Sequence, residues 1–155
     1  MKEEKNITSC AFTGHRTIEE DFSNEKLVEA VDECIRLGCT LFYCGMARGF
    51  DMLAGAVVAE RKKENEEIRL IACIPCPNQD KYFSDEEKEE YERLLSCADE
   101  TVLVSEKYTP WCMAKRNDYM VERADALIAY CNKDEGGSAY TLKKFLKKGG
   151  TVFRV

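Results

Sequence analysis

The chain has 155 residues, of which 45% are hydrophobic and 10% aromatic, enough for one domain with a packed core. Its 29 acidic and 23 basic residues give a net charge of −6, which disfavours a duplex-DNA binder, because nonspecific DNA binding depends on a basic face. No run approaches the roughly 20 apolar residues of a membrane span, and the charged start Met1-Lys2-Glu3-Glu4-Lys5-Asn6 is unlike a secretory signal. These features predict one cytoplasmic domain over residues 1–155 with no membrane partner.

Short apolar runs alternate with amphipathic stretches along the whole chain. In chain order, the pattern predicts strands at 7–12, 40–44, 69–74, 101–104, 126–130 and 151–155, and helices at 25–37, 51–63, 85–97, 114–123 and 138–148. Ser84 and Glu87 stand at capping-box spacing before the third helix. Alternating strands and helices form right-handed crossovers, so we predict a three-layer Rossmann-like α/β fold with a mostly parallel central sheet and helices on both faces.

The nine cysteines are an odd number, and Cys10, Cys44 and Cys73 fall inside apolar, strand-like runs. This placement predicts buried, unpaired thiols in a reducing compartment. Cys73 and Cys76 form a C-x-x-C spacing, but a redox motif places that spacing at a helix N-terminus, whereas here a strand ends and prolines follow. With His15 as the single histidine, a structural zinc site lacks ligands. We therefore predict no metal ion and no cofactor.

Three loops that follow predicted strands combine glycines with polar or charged residues. In open α/β sheets, ligands bind outside the carboxyl ends of the strands, where strand order reverses. Glycine lets main-chain N–H groups approach a ligand, and a helix N-terminus adds partial positive charge, so such loops suit phosphate or carboxylate oxygens. Taken singly, each loop is also explained by ordinary turn chemistry. The loops are Thr13-Gly14-His15-Arg16, Gly45-Met46-Ala47-Arg48-Gly49-Phe50-Asp51 and Asp134-Glu135-Gly136-Gly137-Ser138.

The predicted ligand-binding residues supply several kinds of contact. Arg16, Arg48 and Arg116 are the cationic candidates, since a guanidinium matches a phosphate bidentately. Asp51 either caps the helix it begins or accepts from a ribose hydroxyl. His15 is either a phosphate partner or acid–base group, or a structural histidine. The set is completed by Thr13, Gly14, Gly45, Gly49, Asn117, Gly136, Gly137 and Ser138, and no residue is predicted to be catalytic.

The first two loops and the stretch from Arg116 through Asp125 to Gly137 resemble the YpsA-like branch of the SLOG superfamily, which joins DprA and LOG proteins. The resemblance spans nearly the whole chain. It implies a bacterial Rossmann-like protein whose ligand is a nucleotide or nucleotide-derived molecule. LOG proteins are phosphoribohydrolases, and Arg116 falls on their catalytic arginine. Their motif glutamate corresponds here to Lys143 or Lys144, so a cation replaces the carboxylate that would stabilise an oxocarbenium-like centre.

Three classes of function follow. The first is binding or sensing of a nucleotide-derived, ADP-ribose-like small molecule, with a partner protein that responds to the occupied state. The second is a nucleotide N-glycosidase or phosphohydrolase that uses His15, Asp51 or Glu135 in place of the missing glutamate. The third is single-stranded DNA binding by analogy with DprA, which the acidic charge opposes. We favour the first, because it needs only the glycines and arginines that the sequence contains. The sequence leaves open whether the chain forms a homo-oligomer. Trp111 either stacks on a base or packs over the sheet end.

Overall fold

The computed structural model describes residues 6–155. The charged start, on which the predicted lack of a secretory signal rests, includes residues 1–5, which lie outside the described residues. All eleven predicted elements are present, with bounds close to those expected. The strands are β1 (Ser9–Gly14), β2 (Leu41–Cys44), β3 (Arg69–Ile74), β4 (Glu100–Leu103), β5 (Ala126–Tyr130) and β6 (Thr151–Arg154). The helices are α1 (Asn24–Arg36), α2 (Phe50–Glu64), α3 (Asp85–Cys97), α4 (Cys112–Arg123) and α5 (Gly137–Lys148).

The six strands form one sheet in the order β4-β3-β2-β1-β5-β6, and every neighbouring pair is parallel. The chain builds outward from β1 through β2 and β3 to β4, and then crosses back to place β5 on the other side of β1. Strand order therefore reverses between β1 and β5, where Cys10 pairs with Ala126 and Gly14 pairs with Tyr130. The predicted Rossmann-like fold is confirmed, and the described sheet is entirely rather than mostly parallel.

Both faces of the strands β1, β3 and β5 are buried, because the crossover helices cover them. In β1, Cys10 and Phe12 belong to a core that α1, α2 and α3 cover, whereas Ala11 faces a second core under α4 and α5. Phe12 stacks on Phe42 with ring centroids 6.0 Å apart. Full burial of a Phe side chain of this kind contributes about 1.5–3 kcal/mol. The two cores fix the carboxyl ends of the central strands side by side.

The helix N-termini differ in whether a side chain caps them. Ser84 accepts from the Glu87 main chain at 3.1 Å, and the Glu87 carboxylate accepts from the Ser84 main chain at 2.8 Å, which confirms the predicted capping box of α3. α2 and α5 instead begin after Gly49 and Gly136, whose φ angles are +82° and +102° and which offer no side-chain cap. The first N–H groups of these two helices must therefore find other partners.

All nine cysteines are free thiols, and Cys10, Cys44 and Cys73 are fully buried in β1, β2 and β3, as predicted. Burial raises the pKa of Cys73 to about 12, so one member of the C-x-x-C spacing is not a reactive thiolate. Within residues 6–155, no helix is long and apolar enough to cross a membrane. The same residues include no group of three His, Cys, Asp or Glu side chains that could hold a metal ion.

Candidate functional site

A crevice of about 600 Å³ opens over the carboxyl ends of β1 and β5, where the strand order reverses. Open parallel sheets offer a ligand site at this point because the loops on its two sides diverge. The walls come from the loop after β1, the start of α2, the first half of α4 and the loop that enters α5. The crevice brings together ten of the thirteen predicted ligand-binding residues: Thr13, Gly14, His15, Arg16, Asp51, Arg116, Asn117, Gly136, Gly137 and Ser138.

Arg116 of α4 lies deep in the crevice and is only 4% exposed. Its Nη1 donates to the carbonyl oxygens of Gly45 at 2.6 Å and Cys73 at 3.3 Å, and to Gln79 Oε1 at 3.1 Å. Its Nε donates to Asn117 Oδ1 at 2.9 Å. Nη2 has no hydrogen-bond partner among the described residues. Every side-chain N or O atom that these residues fully enclose does have a partner, so Nη2 is not enclosed. Nη2 is therefore open to the crevice.

Asp51, in the first turn of α2, is 7% exposed. Its Oδ2 accepts from the Ala47 main chain at 3.3 Å. Oδ1 has no partner in the described chain, and since no enclosed side-chain oxygen there lacks one, Oδ1 is open to the crevice. Burial raises the pKa of Asp51 from 3.8 to about 6, against the opposing effect of the nearby Arg116 and Arg16 guanidiniums. The predicted cap is wrong in detail, because Gly49 is the N-cap and Asp51 binds the preceding loop instead.

Gly45 separates Asp51 from Arg116. A Cβ at this position would lie 2.7 Å from Arg116 Nη1 and 2.9 Å from Asp51 Oδ2, inside van der Waals contact with both. Among the described residues the two charged side chains form no direct ion pair. Gly45 itself does not line the crevice. We predicted that Gly45 brings main-chain amides to a ligand, but in the structure it makes room for these two side chains.

Arg48 and Gly49 also lie outside the crevice. Arg48 donates to the Tyr82 carbonyl oxygen and pairs with the Glu87 carboxylate at 3.6 Å. These contacts fix the loop after β2 to the start of α3, so Arg48 does not line this crevice, and its role in ligand binding stays a prediction. A Cβ at Gly49 would lie 2.2 Å from the Arg16 carbonyl oxygen. Gly49 therefore allows the loops after β1 and β2 to pack together.

The opposite wall of the crevice is the N-terminus of α5. No side chain caps this helix, and a Cβ added at Gly136 or Gly137 would meet no atom within 4 Å. The N–H groups of the first helical turn therefore have no side-chain cap, and Gly136, Gly137 and Ser138 line the crevice at this point. Arg16 and Lys133 also line the crevice. Together with the partial positive charge of a helix N-terminus, the two cations favour an anion in this crevice.

The His15 side chain is held by protein contacts. Its Nε2 accepts from the Asn132 main chain at 3.0 Å, and its ring packs edge-on against Tyr130 with centroids 5.2 Å apart. The His15 carbonyl oxygen accepts from the Phe50 main chain at 3.1 Å, at the start of α2. These contacts favour the structural interpretation of His15, since only Nδ1 is left to reach a ligand.

Three residues that shape the site were not predicted. Lys133 and Tyr140 line the crevice. Gln79 does not line it but fixes Arg116, because Gln79 Oε1 accepts from Arg116 Nη1 at 3.1 Å and Gln79 Nε2 donates to the Gly45 carbonyl oxygen at 3.1 Å. The position of Lys133 just after β5 was a usable signal. Gln79 lies in a polar loop and carries no pattern that distinguishes it from its neighbours.

The lysines that align with the LOG glutamate bind elsewhere. Lys143 donates to the Asp134 carbonyl oxygen at 2.9 Å, and Lys144 pairs with the Asp118 carboxylate at 2.6 Å. Neither lysine lines the crevice. The carboxylates that do are Asp51, deep inside, and the exposed Glu135 at the mouth.

Comparisons with known proteins agree with this architecture. The sequence profile of the YspA SLOG family matches residues 11–151. The chain is 31% identical over 127 residues to the uncharacterized SPbeta prophage-derived protein YoqJ of Bacillus subtilis (strain 168), a match that covers 74% of each chain. It is 28% identical over 106 residues to a UPF0398 protein of Bacillus cereus (strain B4264), which covers 67% of this chain and 58% of that protein.

Two solved structures of DNA processing protein A (DprA) share the fold. The Streptococcus pneumoniae protein superposes with a TM-score of 0.66 at 20% identity, over 96% of this chain and 50% of that chain. The Helicobacter pylori protein, solved for its single-stranded DNA binding mode, gives 0.55 at 17% identity, over 90% of this chain and 62% of that one. The chain thus spans between half and two thirds of the UPF0398 and DprA proteins it matches.

Proposed function

Because the chain belongs to the YspA SLOG family, we propose that its crevice binds the phosphate group of a nucleotide-derived small molecule and that the protein is a binding or sensing module. The observation that carries the proposal is the N-terminus of α5, which lines the crevice, has no side-chain cap and carries two glycines whose Cβ positions are open. Such groups bind anions both through hydrogen bonds and through the helix dipole. Arg16 adds a positive charge at the same crevice, and so does Lys133, whose ammonium also pairs with the Glu19 carboxylate at 3.6 Å.

Local capture of this kind suits an acidic protein. A net charge of −6 does not attract anions over long range, so affinity must come from groups that touch the ligand. The crevice volume of about 600 Å³ lies within the usual range of small-molecule sites, about 300–1,000 Å³. A mononucleotide is therefore a suitable ligand in size as well as in charge.

We favour binding over hydrolysis because the lysines at the LOG glutamate position bind other protein groups. Hydrolysis would require Asp51 or Glu135 to take over the role of that glutamate. Incubation with nucleoside 5′-monophosphates, followed by chromatography, separates the two functions. We expect unchanged nucleotides. Release of a free base or of inorganic phosphate, absent from a mock-purified control, would contradict this preference.

The phosphate site is tested by two substitutions at one glycine. Gly137→Asp places a carboxylate in open space at the first turn of α5, where it is favourable for the helix but repels a phosphate and competes for the N–H groups. Gly137→Ala is the matched control, since it adds a methyl group without charge. A thermal-shift screen of nucleotides comes first, because a ligand at 100 times its Kd stabilises the fold by about 2.7 kcal/mol.

In calorimetric titrations with the ligand found by this screen, we expect Gly137→Asp to weaken binding at least about 10-fold, equivalent to about 1.4 kcal/mol. Gly137→Ala should stay within about twofold of the wild type. Equal affinity of the aspartate variant and the wild type would contradict phosphate binding at α5.

A second candidate is single-stranded DNA binding, the property named for the Helicobacter pylori structure. The observation in its favour is a set of exposed aromatic side chains on the loops after β3 and β4: Tyr82 is 80% exposed, Tyr108 71% and Trp111 68%. Exposed aromatic rings stack on unpaired bases with little sequence preference. Fluorescence anisotropy with a labelled oligothymidylate tests this function, and binding that falls steeply with salt and is lost in Trp111→Ala would support it.

A further inference from the structure

The deepest part of the crevice contains an acceptor and a donor that the protein does not use. Asp51 and Arg116 are each more than nine-tenths buried, yet Oδ1 of the first and Nη2 of the second have no partner among the described residues. Neither atom is enclosed, because every enclosed side-chain N or O atom of the described residues has a partner. Two nearly buried side chains on either side of Gly45 thus each leave one polar atom within reach of a ligand in the crevice.

A hydroxyl group is the chemical match for this pair, because it donates and accepts at the same time. We propose that Asp51 and Arg116 form a subsite for the ribose hydroxyls of the ligand, with Asp51 Oδ1 accepting from one hydroxyl and Arg116 Nη2 donating to the same or the neighbouring one. This inference rests on the proposed function, and it narrows the ligand to a ribonucleotide.

The other parts of a nucleotide fit the pair less well. An ionised carboxylate repels a phosphate at short range, and the uncapped start of α5 already offers a phosphate site without such a charge. A base gains most from stacking on an aromatic ring, and Tyr140, which lines the crevice and is 49% exposed, offers such a ring, whereas Asp51 offers none. The sugar lies between phosphate and base in every nucleotide, so its hydroxyls are left for the Asp51–Arg116 pair.

The consequence is discrimination between ribose and deoxyribose. A site built to hydrogen-bond a hydroxyl rejects the analogue that lacks it, because its buried partners then stay unpaired. Strands of DNA lack the 2′-hydroxyl and carry no free 3′-hydroxyl within the chain. The subsite therefore distinguishes a free ribonucleotide from single-stranded DNA as the molecule that occupies the crevice.

The test compares AMP with 2′-deoxy-AMP and 3′-deoxy-AMP by calorimetric titration. We expect the wild type to bind AMP about 10- to 150-fold more tightly than at least one of the deoxy analogues, the range for a hydrogen bond to a charged group. In Asp51→Asn and Asp51→Ala this ratio should fall to within about threefold of unity. The two variants guard against one that does not fold, which circular dichroism would reveal.

Other outcomes overturn one proposal or both. If AMP binds, and Gly137→Asp weakens it, while all three nucleotides bind equally, the ribose subsite is wrong and the phosphate site stands. If an Asp51-dependent preference appears between AMP and IMP instead, the pair binds the base edge. If AMP, ribose 5-phosphate and inorganic phosphate all fail to bind at millimolar concentration, the phosphate site is wrong and the inference falls with it.

Discussion

The loop after β2 and the loop that enters α5 are both rich in glycine, but their glycines have different surroundings. Each contains two glycines and starts a helix after a glycine with positive φ, Gly49 in one and Gly136 in the other. A Cβ at Gly45 or Gly49 would collide with protein atoms, whereas a Cβ at Gly136 or Gly137 would meet nothing within 4 Å. Protein atoms therefore surround the glycines of the loop after β2, whereas the glycines of the loop that enters α5 border open space.

Glycines before a helix therefore serve two purposes that the sequence does not separate. In the loop after β2 they let bulky groups approach, so that Asp51 and Arg116 face the crevice from both sides of Gly45. In the loop before α5 they keep side chains away from free N–H groups. Glycine thus makes room for Asp51 and Arg116 in the deep part of the crevice, and it leaves the α5 wall, the proposed phosphate site, free of side chains.

The largest expected effect is the same substitution made in both loops. Gly45→Val would force a branched side chain against the Arg116 guanidinium and the Asp51 carboxylate. Overpacking costs about 1–3 kcal/mol, and disrupting a buried charged group adds to it, so we expect the free energy of unfolding to fall by at least about 3 kcal/mol. Gly137→Val should change it by less than about 1 kcal/mol. Urea denaturation measures both, and similar losses would remove the difference between the loops.

The next effect concerns Asp51 and pH. Its folded pKa of about 6 exceeds the ordinary 3.8, so the folded state binds more protons between these values and wild-type stability falls as pH rises through that window. A shift of about two units corresponds to roughly 3 kcal/mol. Asp51→Asn should therefore be more stable than the wild type by roughly 2–3 kcal/mol at pH 7.5, and by much less at pH 4.5.

The matched control for this pH effect lies in the exposed loop. Asp134→Asn changes a solvated carboxylate, so its stability should stay within about 0.5 kcal/mol of the wild type at both pH values. Urea denaturation at pH 4.5 and 7.5 gives the comparison. If Asp51→Asn is no more stable than Asp134→Asn at pH 7.5, the buried carboxylate carries no such cost.

Arg48→Ala tests whether the loop after β2 contributes charge to the ligand. The side chain binds the Tyr82 carbonyl oxygen and the Glu87 carboxylate, both partly exposed to solvent, so its loss should cost about 1 kcal/mol of stability. Affinity for AMP should stay within about twofold of the wild type. A loss of 10-fold or more in calorimetry would restore Arg48 to the ligand site.

The smallest effect is expected from Gly137→Ala. Alanine fits a helical position into which nothing projects, and it restricts the unfolded chain, so we expect a gain of about 0.5 kcal/mol. The equivalent change Gly45→Ala should be destabilising, because the added methyl group meets Arg116. Thermal melts of the two alanine variants should therefore shift in opposite directions, and a shift in the same direction would contradict the comparison.

The sequence predicted the elements well because their signals are local. The bounds of β3, α3 and β5 match the prediction, since apolar runs and the Ser84 cap decide them residue by residue. Crevice residues after β1 and before α5 were also predicted, because the topology brings the carboxyl ends of parallel strands together. What sequence reasoning missed depends on the path of one loop. The sequence gives no reason to distinguish Arg48 from Arg116 as a ligand-binding arginine. Only the packing around Gly45 and Gln79 decides that Arg116 lines the crevice.

The position of β1 in the middle of the sheet has a consequence for synthesis. In the pairing of β1 with β5, Cys10 lies opposite Ala126. The second edge of β1 therefore stays unpaired until β5 has been synthesised and has left the ribosome. Until then the β1–β4 half has helices on one face only, because α4 and α5 cover the other. Such long-range pairing forms slowly, and the bare face is prone to aggregate in the meantime. Since Asp51 and Arg116 come from different halves, a nascent chain completes the proposed ribose subsite only after this last docking step.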